Sequence, residues 1–411
     1  DNYNKILSEL QRNKIFPLLL SQIASAGRVN IVVTGNQTEI TKNIIETEIY
    51  GKPKTVHLAL IGHGNVGGTL VEQILDSAYD ILNRKRVDLK IVAIANSRKV
   101  AFNKAGFGSD WRQKIKYSQT ESSVQSLVDF ANEHHLENLV MVDNTASKDF
   151  VKSYPVFVEN GFDVVGSNKI YNTLPIAEYR NFRKLLEKNK KKYLYETNVG
   201  AGLPLIDTIK LLHLSGENIT RIKGVFSGTL SYVFNNFSLR NDKFSTIINE
   251  ALEKGFTEPD PREDLSGNDV ARKLLILARE LDLINEFDDI NIQNLVPESL
   301  LSVSKEEFLS RLEELDSEYQ KIKENQKPDH VLRYVGDLHG DLQKEKGELD
   351  VKLISVPANS ALGQLKGSDS IFEIYTESYG ENPIVIMGAG AGAKVTARGV
   401  FGDILRLSET K

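Results

Sequence analysis

The chain has 411 residues and a net charge of −5, with 51 Lys and Arg against 56 Asp and Glu. That length holds two or three domains with sizeable cores, and the acidic balance argues against a nucleic-acid footprint. Cysteine is absent, which excludes disulfides, thiolate metal sites and thioester chemistry; the seven histidines do not group as a zinc site would need.

The longest apolar runs, such as Phe16 to Leu20, are too short to span a bilayer. No secretory signal opens the chain, so a cytosolic protein without membrane partners is expected. It begins at Asp1 rather than Met, which leads us to expect a piece of a longer polypeptide. Residues 1–50 carry a helical pattern through about Ala26, a strand at Val29–Val33 and an amphipathic helix at Glu39–Tyr50. This is too little to fold alone, and reads as the end of a preceding α/β domain or as an extension packed on the next one.

Thr55–Ile61 forms a buried strand, followed by Gly62-His63-Gly64-Asn65-Val66-Gly67-Gly68 and a helical run to Leu82. This is G-x-G-x-x-G in its working context, after a strand and opening a helix. The first glycine makes the turn, the second admits a pyrophosphate, and the third lets helix and strand pack closely. His63 reads as a spacer. The next strand, Leu89–Ala95, ends in Asn96-Ser97-Arg98. No carboxylate stands there for a ribose 2′-hydroxyl, whereas the Ser97 hydroxyl and Arg98 guanidinium suit a 2′-phosphate. NADP(H) is therefore expected as the preferred cofactor, with NAD(H) as the possible second. A helix at Val124–His134 and a strand at Leu139–Asp143 lead to Asn144-Thr145-Ala146-Ser147, polar groups at a strand's carboxyl end. A helix at 149–160 and a strand at Phe162–Gly166 lead to Ser167-Asn168-Lys169. Lys169 is either a solvated lysine or part of the same crevice.

A strand at Lys192–Glu196 enters Thr197-Asn198-Val199-Gly200-Ala201-Gly202-Leu203-Pro204. So irregular a backbone either turns carbonyls toward a hard cation, with Glu196 supplying charge, or serves as a hinge between domains. Beyond it come a helix at Leu205–Leu214, a strand at Ile219–Phe226, the segment Ser227–Tyr232 and a helix at 244–254 stopped by Gly255. Residues 257–273 then place five carboxylates, two prolines and a lysine in a loop that turns into a helix. Pro259 and Pro261 forbid helix where they stand, and Ser266 can cap the helix that begins beyond it. Val270, Ala271, Leu274, Leu277, Ala278 and Leu281 recur at helical spacing. Asp269 and Lys273, four residues apart, form either an ordinary surface ion pair or a proton donor beside its carboxylate. The acids Glu258, Asp260 and Asp264 favour the second reading, since they suit a substrate ammonium. Residues 303–324 read as a charged amphipathic helix covering the surface. Leu332–Leu338, Leu349–Val356, Ser370–Ser378 and Ile384–Met387 alternate as strands of an antiparallel or mixed sheet. Gly388-Ala389-Gly390-Ala391-Gly392-Ala393 then opens the last helix. These glycines either bring a helix N-terminus to the cofactor or allow tight packing.

Taken together, Gly62–Gly68, Ala95–Ser97, Glu196–Pro204, Phe226–Tyr232, Thr257–Lys273 and Gly388–Asp403 resemble homoserine dehydrogenase. The likeness is greatest to the dehydrogenase half of the bifunctional aspartokinase–homoserine dehydrogenases and covers roughly residues 55–411. It implies reversible hydride transfer between NAD(P)H and L-aspartate 4-semialdehyde, giving L-homoserine. By position, Lys273 resembles the family's proton donor, with Asp269 beside it. Glu258 and Asp269 resemble residues that bind the amino acid, with Asp264 among the same acids, and Lys169 lies at the cofactor–substrate junction. Asn65, Val66, Thr145, Gly255 and Gly392 match cofactor-contacting positions. Glu196, Val199, Ala201 and Leu203 match a site for sodium or potassium. A homodimer or larger homo-oligomer is implied, as is an aspartokinase fused upstream, with residues 1–50 as the remnant of an ACT-like regulatory region.

The expected fold class is α/β. A Rossmann-type doubly wound nucleotide domain spans 55–197 plus 384–411, and an α+β substrate and dimerisation domain spans 198–383. A phosphorylating semialdehyde dehydrogenase is excluded by the missing cysteine nucleophile. The remaining alternative is a non-catalytic nucleotide- or amino-acid-sensing module, for which a proton donor set among acids would have no use.

Overall fold

The computed structural model describes residues 2–23 and 28–409, which divide into two compact units. Of the described residues, those up to 171, 177–195 and those from 397 on fall to the first; 172–176 and 196–396 fall to the second. Among the described residues, no helix is long and apolar enough to cross a membrane.

In the first unit a helix, Asn2–Arg12, precedes the antiparallel pair β1 (Leu19–Ile23) and β2 (Arg28–Val32). A six-stranded sheet follows, built from β3 (Lys54–Ile61), β4 (Val87–Ala95), β5 (Val100–Phe102), β6 (Leu139–Asp143), β7 (Asp163–Gly166) and β8 (Tyr193–Leu194). Its order is β5-β4-β3-β6-β7-β8, parallel throughout except for β5. The chain moves from β3 to β4 on one side and later returns to β6 on the other. The loops after β3 and β6 thus flank the point where strand order reverses, the place where such sheets bind ligands. β3 is buried over its last six residues, as a strand covered on both faces must be. The helices Asn65–Lys85 and Ala393–Glu409 contribute Leu70, Val71, Ile74, Val400, Phe401 and Ile404 to the core around it.

The helical pattern expected through Ala26 is shorter in the structure. The first helix ends at Arg12, and Leu19–Ile23 is a strand; residues 24–27 lie outside the described residues. Lys14 adopts φ +59°, with Ile15 N–H bonded to Leu10 O at 2.8 Å and Lys14 N–H to Gln11 O at 3.1 Å. This is a Schellman closure carried by lysine where glycine is usual, so the stop left no mark in the residue types. The N-terminal segment has its own small core around Ile6, Leu10, Ile40 and Ile44. Arg12 also bonds Asp163 at 3.0 Å, at the start of β7.

The second unit carries a mixed six-stranded sheet of β9 (Ile219–Val225), β10 (Ile290–Ile292), β11 (His330–His339), β12 (Glu348–Pro357), β13 (Ser370–Thr376) and β14 (Ile384–Gly388). Its order is β10-β12-β11-β9-β13-β14. Because β14 pairs with β13 from Gly388 to Ile384, residues 384–396 belong to this unit and not to the nucleotide domain expected for them. Helix Gly228–Leu239 was not read from the sequence. Leu230, Val233, Phe234 and Phe237 recur at helical spacing, but Ser231, Tyr232 and Asn235 are buried beside them, so polar residues on inward faces blur the amphipathic period that announces a helix. Residues 303–324 are three pieces, Lys305–Ser310, a 3₁₀ turn Leu312–Leu315 and Asp316–Glu324. They are not a mere solvated cover: Phe308, Leu312, Leu315 and Tyr319 are buried, and Tyr319 stacks on Phe244 at 3.8 Å.

Candidate active site

The first-unit residues meet at the carboxyl ends of β3, β4, β6 and β7. Gly62 makes the turn out of β3 with φ +83°. A Cβ on Gly67 would stand 1.9 Å from Gly62 O, whereas a Cβ on Gly64 would meet nothing within 4 Å. Gly67 is thus required by packing, and Gly64 leaves bare backbone at the start of helix Asn65–Lys85. These glycines fit a dinucleotide pyrophosphate, which needs close approach to unpaired N–H groups. Asn65 is exposed, Val66 half-buried and packed on the main core, and Ser97 and Arg98 are exposed beyond β4.

Asp143, the last residue of β6, is fully buried and was not singled out from sequence. Its Oδ1 accepts the Thr145 N–H at 2.7 Å; its Oδ2 accepts Tyr154 Oη–H at 2.7 Å and Asn168 Nδ2–H at 3.1 Å. One carboxyl therefore holds both polar loops, after β6 and after β7, although burial pushes its pKa up. Its only sequence signal was an acid ending an otherwise apolar strand. Lys169 follows Asn168 directly and is half-buried.

In the second unit, the acidic segment folds as a short helix, Pro261–Leu265, before helix Asn268–Glu280. Pro261 does not forbid this helix but opens it at the first position, where a missing N–H costs nothing. Asp260 caps it, bonding Arg262 N–H at 3.0 Å. Ser266 Oγ accepts Asn268 N–H at 3.3 Å, while the cap position itself is Gly267, at φ +74°. A Cβ there would lie 2.1 Å from Tyr334 Oη. Lys273 Nζ lies 2.7 Å from Asp269 Oδ2 and donates to Phe226 O at 2.8 Å. The lysine side chain is 13% exposed and the aspartate 44%, so the pair stands at the edge of the interior. Asp264 Oδ2 accepts Glu258 N–H at 2.8 Å. Burial first, then the negative charges of Glu258 and Asp269, push the Asp264 carboxyl up. Three acids thus share one field, which a cation relieves. Gly255 ends helix Phe244–Glu253 at φ +69° and is exposed, as is Gly392 at φ +116°. Gly390 has the packing role: a Cβ there would lie 1.8 Å from Ser370 Oγ.

Glu196, Val199 and Ala201 are buried, with Leu203 half-buried. Gly200 and Ala201 both take positive φ, at +77° and +52°. Glu196 Oε1 and Oε2 accept the N–H groups of Ile206 and Asp207 at 2.7 and 2.9 Å, so this carboxylate caps helix Leu205–Leu214. Thr197 Oγ1 is buried without a protein partner. A buried carboxylate, an orphaned hydroxyl and a kinked backbone fit a small monovalent cation.

The first unit has the parallel sheet, the strand-order reversal and the glycine loop of a dinucleotide-binding domain. Residues 62–196 match the family model described as homoserine dehydrogenase, NAD binding domain, and residues 204–405 match that of homoserine dehydrogenase. The chain is 37% identical over 362 residues to the homoserine dehydrogenase of Schizosaccharomyces pombe, covering 86% of this chain and 95% of that protein. It belongs to the homoserine dehydrogenase family. It is also 39% identical over 393 residues to the chloroplastic bifunctional aspartokinase/homoserine dehydrogenase 1 of Arabidopsis thaliana, covering 95% of this chain and 43% of that protein. The chain thus spans less than half the length of this bifunctional relative. A solved Candida auris protein of unknown function superposes with a TM-score of 0.78 at 33% identity, covering 87% of this chain and 99% of the other.

Proposed function

We propose that this chain interconverts L-aspartate 4-semialdehyde and L-homoserine, using NADP(H) in preference to NAD(H). The observation that carries the reading is the Lys273 ammonium, held between Asp269 Oδ2 and Phe226 O. One of its three N–H bonds goes to Phe226 O, with Asp269 Oδ2 at ion-pair distance, which leaves N–H capacity for a substrate oxygen. Bound NADPH supplies the hydride that reduces the aldehyde carbon. Lys273 meets the negative charge that develops on the aldehyde oxygen and gives it a proton, so that aldehyde, hydride and proton balance as alcohol. In the reverse direction the neutral amine takes the hydroxyl proton. Asp269 keeps the ammonium in place, and Glu258, Asp264 and Asp269 attract the substrate's α-ammonium. Lys169, on the loop anchored by Asp143, serves the junction of cofactor and substrate. Gly62, Gly64, Asn65, Val66, Gly67 and Thr145 cradle the dinucleotide, Ser97 and Arg98 favour a 2′-phosphate, and Gly255 and Gly392 of the second unit are cofactor-contacting positions by resemblance. Glu196, with the carbonyls of Val199, Ala201 and Leu203, would hold sodium or potassium. In the full-length protein an aspartokinase precedes this chain, residues 1–50 being the end of the regulatory region that joins the two, and the second unit carries a homodimer contact.

The test is NADPH oxidation with aspartate semialdehyde, comparing the wild-type chain with Lys273→Ala. Turnover should fall by on the order of 10³-fold, while the dissociation constant for NADPH stays within about twofold. A variant with near-wild-type kcat would remove Lys273 from the mechanism; a wild-type chain inactive with either cofactor would defeat the whole reading.

A further inference from the structure

The carbonyl that accepts from Lys273 is that of Phe226, the residue directly after the last of β9. Asp269, the other partner of the ammonium, sits four residues back on the lysine's own helix and is 44% exposed. A solvated carboxylate at that spacing is a weak and mobile restraint. A main-chain carbonyl tied to a buried ring does not move, so the direction of the ammonium is decided at Phe226.

Three glycines fix that ring. Gly336 of β11 and Gly224 of β9 stand opposite each other, and Phe372 of β13 is the next residue across the sheet. A Cβ on Gly336 would lie 2.8 Å from the Phe226 ring and 3.3 Å from Val270. A Cβ on Gly224 would lie 2.4 Å from Ile371 O and 2.9 Å from the Phe372 ring. Two bare positions in register therefore make a trough in the sheet. Phe226 and Phe372 fill it, both fully buried, edge to face with centroids 5.0 Å apart and planes at 80°. Behind Phe372, a Cβ on Gly200 would lie 3.1 Å from its ring, so the pair has no room to retreat. Val270 is a neighbour of Lys273 on helix Asn268–Glu280. Gly336 thus seats both the helix that bears the ammonium and the residue that bears its acceptor.

We infer that Phe226 is a positioning residue for Lys273, a role that rests on the dehydrogenase reading and deepens it. Its ring, locked in the glycine trough, fixes the main-chain carbonyl that aims the ammonium at the substrate oxygen. A Cβ at position 336 would stand roughly 0.7 Å inside the optimal separation of two carbon atoms. The ring would have to shift and carry the carbonyl with it, and a misplacement of about 1 Å can cost on the order of 10²-fold in rate.

The experiment follows NADPH oxidation with aspartate semialdehyde for the wild-type chain, Gly336→Ala, Phe226→Leu and the double variant, each also in the Lys273→Ala background. Rates are taken per NADPH-binding chain, so that unfolded material is not counted. Gly336→Ala should lower kcat by about tenfold or more and leave the KM for the semialdehyde within about twofold. Phe226→Leu keeps the carbonyl but frees it, and should lower kcat by about fivefold with the same unchanged KM. Its shorter side chain relieves the collision, so adding Gly336→Ala to it should cost no more than about twofold further. With Lys273→Ala, residual turnover should stay within about twofold whether or not position 226 or 336 is changed. A purely structural role would lower the melting temperature without this dependence on Lys273. Phe226→Leu carries the test alone where Gly336→Ala folds poorly. An unchanged kcat in Phe226→Leu, or a loss that persists in full with Lys273→Ala, overturns the inference and leaves the dehydrogenase reading standing. A wild-type chain inactive with either cofactor overturns that reading itself.

Discussion

The Asp143 carboxylate accepts a 3.1 Å hydrogen bond from the side-chain amide of Asn168, and so ties the loop after β6 to the loop after β7. Thr145 and Lys169 each lie within two residues of this contact. Asp143→Ala would leave the Thr145 N–H, the Tyr154 hydroxyl and the Asn168 amide without their acceptor. The expected cost is on the order of 3 kcal/mol in stability, together with weaker NADPH binding of about tenfold or more. Urea unfolding and fluorescence titration measure the two; unchanged cofactor affinity would make Asp143 a purely structural group.

The two inner glycines of the first loop should separate in their effects. A Cβ at position 67 collides with Gly62 O at 1.9 Å, and one at position 64 enters open space. Gly67→Ala should destabilise the first unit by ~2 kcal/mol or more through forced backbone movement. Gly64→Ala should unfold like the wild type, yet lose cofactor affinity by about tenfold, because its methyl occupies the approach of the pyrophosphate. Thermal melts with and without NADPH distinguish these outcomes.

Glu196 accepts two N–H groups at the start of helix Leu205–Leu214. Glu196→Ala should cost ~1–2 kcal/mol as a lost cap. Glu196→Gln keeps one acceptor oxygen and should recover part of that loss. Neither variant should be stabilised by exchanging choline for potassium or sodium, whereas the wild type should be. Equal cation response in all three would take Glu196 out of the cation site.

Glu137 should make stability depend on pH, because its Oε2 is buried and unpartnered. Burial raises its carboxyl from the ordinary 4.5 to about 7. The folded state then binds the proton more tightly than the unfolded state, so this residue makes stability fall as pH rises between 4.5 and 7. The loss is complete above pH 7 and absent below 4.5. Glu137→Gln should therefore melt higher than the wild type at pH 8, by on the order of 2–3 kcal/mol, and alike at pH 4. Parallel melting curves at both values would refute the assignment.

By itself, the sequence settled whatever is encoded within a turn or two of the chain. The glycine loop between β3 and its helix, and the Asp269–Lys273 pair at one helical turn's spacing, were legible because residue type and spacing carry their geometry directly. Tertiary structure alone decided the rest. It recruited Asp143 to Asn168 and Tyr154, turned both Glu196 oxygens onto a helix end, and gave β14 to the second sheet. It also stopped the first helix at a left-handed lysine and buried the polar Ser231 and Asn235 of helix Gly228–Leu239 along with its apolar stripe. In each case the deciding partner is packing or a hydrogen bond that only the folded backbone brings within reach, and no local pattern of residue types specifies it.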